Sequence, residues 1–122
     1  MVKLVYCMHR RPELSHEAFI ERWHVQHAPM LEARREVLKV RGYEQWHTDP
    51  SVFAQQIAAA RGGPTPFDGL AVVTYDSLDA LQSTLADRAA RQAGREMIED
   101  ERQFIDFARS PVFITNVHEI IK

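Results

Sequence analysis

The stretch Lys3-Leu-Val-Tyr-Cys-Met-His9 decides the architecture. So short a run of branched, aromatic and sulfur side chains, stopped by Arg10-Arg11-Pro12-Glu13, reads as a strand. With a period of two, Val5 and Cys7 point one way and Leu4, Tyr6 and Met8 the other. Neither set is polar. A sheet with one solvated face alternates apolar and polar residues, so this strand predicts a sheet covered on both sides.

Outward from it, Ser15 is placed to cap a helix whose apolar positions are Phe19, Ile20, Trp23 and His27. Pro29 disfavours helical backbone at Ala28. A helix end or kink is expected there, followed by a second helical piece through Met30, Leu31 and Val37. Residues 40–48 read as a second strand, closed by Asp49-Pro50. Residues 51–61 suggest a short, weak helix, and Gly62-Gly63-Pro64-Thr65-Pro66 a surface loop. The 51–66 insertion exceeds a tight strand connection and is expected to act as a lid. Residues 68–75 form a third strand. Asp76 or Ser77 then caps a long helical region to about Phe107, with a break near Gly94. A closing strand is expected over 112–121, apolar on both faces: Phe113, Val117 and Ile121 against Val112, Ile114 and Ile120.

The order β-α-β-β-α-β predicts an α+β, ferredoxin-like fold, a four-stranded antiparallel sheet with helices on one face. Helices cover only that face. The other is expected to meet the sheet of a second copy, giving a homodimer through sheet faces.

The 122 residues suit a single domain, 1–122. Hydrophobic residues at 45% and charged residues at 26% are those of an ordinary globular chain. A formal charge of −2 leaves no electrostatic footprint for nucleic acid or an anionic membrane, and Arg10-Arg11 and Arg34-Arg35 read as solvated doublets. The one cysteine, Cys7, excludes a disulfide framework and fits a reducing compartment. No apolar run reaches the length of a membrane span, and the amino terminus has no signal-peptide pattern. A cytoplasmic location is expected.

The segments Arg10-Arg11-Pro12-x-Leu14-Ser15-x-x-x-Phe19, Trp23-x-x-x-His27-Ala28-Pro29, Asp68-Gly69 and Asp100-Glu101-x-x-Phe104-Ile105-Asp106 resemble, in order and spacing, the EthD family of dimeric α+β barrel proteins. The resemblance implies two ferredoxin-like monomers pressed sheet to sheet, with a pocket in each half. EthD itself is tied to degradation of a fuel ether in an accessory role. Similar proteins include tailoring enzymes that dehydrate, cyclise or oxidise polyketides without a cofactor. A related methylmuconolactone isomerase uses a mid-chain cysteine; this chain has none beyond Cys7, which sets that route aside.

Phe19, Trp23 and His27 lie four apart and stack along one helical face, so the imidazole continues an aromatic stripe toward the core. His27 is the expected acid/base or substrate-polarising group. At a helix carboxyl end it would feel a field favouring its protonated form. An alternative role is capping the carbonyls freed at Pro29. Tyr6, Trp23, Tyr43, His47, Asn116 and His118 are the expected pocket-lining residues, since polar side chains on a doubly covered sheet need partners or a wetted cavity. His9, His16 and His24 read as solvated, and Asp100 and Glu101 as a solvated helix face pairing with Arg95 or Arg102, or with the neighbouring loop.

Metal is not expected. Glu21-x-x-His24 is half of a di-iron motif, and Glu44-x-x-His47 on a strand sends its residues to opposite faces. No nucleophile elbow or phosphate loop appears. The expectation is therefore a cofactor-independent enzyme acting on a small apolar carbonyl, aromatic or lactone compound. Two alternatives stay open: a non-catalytic small-molecule-binding accessory protein, and a haem-binding barrel.

Overall fold

All seven residues of β1 (Val2–Met8) pair on one edge and five of them, Val2 to Tyr6, on the other, which places this strand inside the sheet. It runs antiparallel to β3 (Gly69–Tyr75) on one side and β4 (Val112–Asn116) on the other, and β2 (Gly42–His47) joins outside β3. The sheet order β2-β3-β1-β4, all antiparallel, is that of the ferredoxin-like fold. The computed structural model describes residues 1–122.

The register sorts the side chains into two faces. Leu4 stands between Val73 and Ile114, and Tyr6 between Ala71 and Val112. Tyr43, Gln45 and His47 oppose Val73, Ala71 and Gly69 on that same face. The helices pack here, where Met8, Phe19, Trp23, Ala71, Phe104 and Ile105 form the main core. Burying each of the largest, Phe19, Trp23, Phe104 and Met8, contributes about 1.5–3 kcal/mol. The opposite face carries Val5, Cys7, Leu70, Val72, Trp46 and Phe113 beside Lys3, Glu44, Thr74 and Thr115. It is more mixed than the two strands alone suggested, and Trp46 and Phe113 remain about half exposed.

Ser15 Oγ accepts the Ala18 N–H and opens α1 (His16–Glu21) as expected. Pro29 does not end this helix. Residues Arg22–His27 widen into a π-helical segment, in which the Ala28 N–H reaches back to the Trp23 carbonyl, and α2 (Ala28–Arg34) follows at once. Pro29 then falls in the first turn of α2, where a missing N–H is tolerated. His27 is accordingly mid-run, not at a carboxyl end.

The insertion forms α3 (Val52–Ala59), capped by Ser51 and burying no residue. The next helical region breaks before Gly94. It divides into α4 (Leu78–Ser83) and α5 (Arg88–Glu101), because 3₁₀-type turns close α4 and Asp87 caps a new helix through the Ala90 N–H. Gly94 sits inside α5 without interrupting it, and 102–106 are not helical. The closing strand stops at Asn116, which pairs with Val2, the first residue of β1. Beyond it no ladder partner exists, so 117–122 leave the sheet with Val117, Ile120 and Ile121 exposed. No helix is long and apolar enough to cross a membrane.

Candidate functional site

Between the helix-packed sheet face and the π-segment, α2 and α5 lies a cavity of about 430 Å³. Its walls are mainly apolar, with Leu4, Met8, Ala71 and Val73 from the sheet and Leu31, Leu38, Met97 and Ile98 from the helical side. The polar groups among the lining residues are few: Tyr6, Tyr43, Tyr75, His27, Glu101 and the Trp23 indole. No lysine or arginine lines it. Gly94 borders the space, and a Cβ added there would meet nothing within 4 Å. That glycine costs α5 about 1 kcal/mol relative to alanine and leaves the wall open.

His27 ends the buried stripe, 5% exposed, with its ring edge-on to Phe104 at 5.2 Å. Its Nδ1 lies 2.6 Å from Asp100 Oδ2. A carboxylate accepts only, so Nδ1 carries the proton and Nε2 keeps its lone pair. Nε2 points toward Glu101, 3.6 Å away. Asp100 is held in turn by a forked pair of bonds from Arg22, at 2.5 and 3.1 Å. Burial works against the Asp100 carboxylate, yet the bonds from Arg22 and His27 outweigh it and hold its pKa below the usual value. For His27 burial dominates over the attraction of Asp100, so its pKa lies below the ordinary 6.5. The expected field of a helix end is absent.

Glu101 is the residue the sequence reading missed. It does not join Arg95 or Arg102; the last turn of α5 rolls it into the cavity, its side chain 19% exposed. Burial, with the Asp100 charge beside it, pushes its carboxyl up to about 7. The signal was spacing: Ala90, Ala93, Met97 and Glu101 follow a helical stripe whose first three members are buried.

Tyr43 is fixed by donors. Its hydroxyl accepts from Trp23 Nε1 at 3.0 Å and Gln45 Nε2 at 2.8 Å, while Gln45 also bonds the Trp23 carbonyl at 3.2 Å. A phenol oxygen has two lone pairs and one proton, so only the proton remains to be given. Burial raises the pKa of Tyr43, and burial followed by Glu101 pushes that of Tyr6 up to about 12.

Other expected residues lie elsewhere. His47 is exposed, bonds Gln45 Oε1 at 2.9 Å and stacks on Trp23 at 5.0 Å, so it braces Tyr43 through Gln45 rather than lining the cavity. Asn116 is exposed at the end of β4, and His118 is exposed beyond it; neither lines the cavity, because the sheet ladder has run out there. The 51–66 insertion contributes no lining residue either. His24 is exposed, edge-on to His47. His16 is not simply solvated: its Nδ1 lies 2.8 Å from Asp68 and its Nε2 3.1 Å from the Thr48 carbonyl. Asp68, 4% exposed, also takes two bonds from Arg10, which ties the end of β1 to the starts of α1 and β3. No three histidine, cysteine or carboxylate groups converge as a metal-binding set.

The EthD domain model matches residues 11–108. The chain belongs to the EthD family. Solved structures similar to it include an ethyl tert-butyl ether D (EthD) family protein from Bacillus halodurans, at 21% identity and TM-score 0.62, covering 97% of this chain and 99% of that one. An EthD-like protein from Ralstonia eutropha matches at 18% identity and TM-score 0.59, covering 97% and 94%. A dimeric protein of unknown function and ferredoxin-like fold from Bacteroides fragilis matches at 12% identity and TM-score 0.58, covering 95% of each chain. At these identities the likeness speaks for the fold alone. No curated protein matches the chain. Of the EthD segments, Arg10 and Asp68 form the clasp between strands and helix, His27 and Glu101 line the cavity, and Asp100 holds His27 from behind.

Proposed function

We propose that this EthD protein is a cofactor-independent enzyme acting on a small, largely apolar carbonyl, aromatic or lactone compound, with His27 as acid/base. The observation that carries the reading is His27 in the wall of a mainly apolar cavity, held from outside that wall by Asp100 and, through it, Arg22. A half-buried carboxylate that fixes one ring nitrogen leaves the other available to a ligand, and it favours the imidazolium when a proton arrives. Tyr6 and Tyr43 orient the substrate by donating to its oxygen, and Trp23 supports Tyr43 from behind. With no cation in the lining, a neutral compound suits the cavity better than an anion.

The test is turnover by His27→Ala on the natural substrate. A fall of 100-fold or more with the fold intact is expected; unchanged turnover removes the role of His27, and a wild-type protein that retains a small apolar ligand without turning it over is a non-catalytic binding protein.

The active form we propose is a homodimer through the outer sheet faces. Support comes from the half-exposed Trp46 and Phe113 on that face, the exposed apolar residues after β4, and the dimeric description of the Bacteroides fragilis structure. Sedimentation at micromolar concentration is expected to give twice the chain mass, whereas a monomer refutes the dimer.

A further inference from the structure

We propose that Glu101 is a second catalytic residue, a proton carrier between substrate and His27 Nε2, which makes this a site for proton shifts beside the carbonyl of a neutral apolar ketone or lactone. The inference rests on the reading of the cavity as an active site.

Two neighbouring carboxylates meet opposite environments here. Asp100 receives three side-chain hydrogen bonds, two from Arg22 and one from His27. The carboxyl of Glu101 receives none, and His27 Nε2 lies 3.6 Å from its Oε2. A buried carboxylate without hydrogen bonds is costly, and nothing in the fold rewards it. Paired titratable groups held in contrasting surroundings are how one pocket supplies both a fixed charge and a mobile proton. The ionisable groups around Glu101 are Asp100 from α5, His27 from the π-segment with Arg22 behind it, Tyr6 from β1 and Tyr43 from β2, and Tyr75 from β3 lines the same cavity.

In the step, the Glu101 carboxylate takes the proton from the carbon next to the substrate carbonyl. The C–H pair becomes a C=C bond as the carbonyl π pair moves onto oxygen, where a phenol O–H from Tyr43 or Tyr6 holds it. The proton then returns from Glu101 to the same or a conjugated carbon, or rests on Nε2 while Asp100 balances the imidazolium. Substrate and product differ only in where a proton sits, so no oxidant or reductant is consumed.

The test uses 2-tetralone, an apolar ketone small enough for the cavity, and follows deuterium uptake at its α-carbons in D2O. Binding is measured separately with 2-naphthol, a planar mimic of the enol. Wild-type protein is expected to accelerate exchange, and Glu101→Gln to slow it at least 100-fold while 2-naphthol affinity changes less than about threefold. Wild-type exchange in Glu101→Gln overturns the proposal; if His27→Gln is then slow, the active-site reading survives without Glu101. Failure of wild type to accelerate exchange while it binds 2-naphthol overturns the proposal too. Failure to bind 2-naphthol removes the cavity reading along with it.

Discussion

At pH 8, Glu101→Gln raises the free energy of unfolding by about 2–3 kcal/mol over wild type, and at pH 5 the gain shrinks below about 1 kcal/mol. The folded chain holds the Glu101 proton up to about 7, against 4.5 for an ordinary glutamate. Between those values the folded state binds more protons than the unfolded state, so wild-type stability falls as pH rises through that window. Above it the full penalty of a buried charge is present. Glutamine keeps the shape and never ionises. His27 works in the opposite sense, since a depressed imidazole pKa withdraws stability as pH falls below its ordinary 6.5. Comparing variant with wild type at each pH removes the part of His27 that is independent of Glu101 and leaves Glu101 together with its coupling to His27. Urea unfolding at the two pH values reads the difference directly. A gain in stability paired with a loss of proton exchange marks a group retained for chemistry rather than for folding.

Gly69→Ala costs about 3 kcal/mol, the upper end of what overpacking a tight core does. The added Cβ would lie 2.6 Å from Trp23 Cζ3 and 2.8 Å from the Trp46 carbonyl oxygen. The carbonyl is backbone and cannot yield. Trp23 is 1% exposed and tied to Tyr43, so its ring cannot yield cheaply either. The damage therefore spreads from the sheet to the phenol at the cavity. Gly42→Ala is the control on the same sheet: its nearest neighbour is Thr74 Cβ at 3.5 Å, an ordinary contact. That change is expected to be neutral or stabilising by up to about 1 kcal/mol. Thermal and urea unfolding of the two variants checks the contrast.

The order of elements and the burial of the Phe19-Trp23-His27 stripe were legible, because periodicity is a local property. What escaped were outcomes settled by other parts of the chain. Pro29 signals a helix end in isolation, but the i→i+5 pairing of Arg22–His27 carries the backbone past it. Residues 117–121 have strand character, yet β1 offers no partner beyond Val2. Asn116 and His118 share a pocket-facing side only on a strand that continues past Val2, and β4 does not. Polar neighbours such as Asp100 and Glu101 read as a solvated face, since one cannot see from sequence that the last turn of α5 closes over the π-segment. The clue was that Glu101 ends an α5 stripe as His27 ends its own. The two stripes meet at their polar ends, and that meeting is the site.

The most direct measurement is a ¹³C NMR titration of the glutamate side-chain carboxyls, with Glu101 assigned from Glu101→Gln. A midpoint near 7 for Glu101, accompanied by a response of the His27 ring, is the result expected of a proton shared across the cavity wall. A midpoint at the ordinary value near 4.5, with His27 indifferent to it, contradicts it.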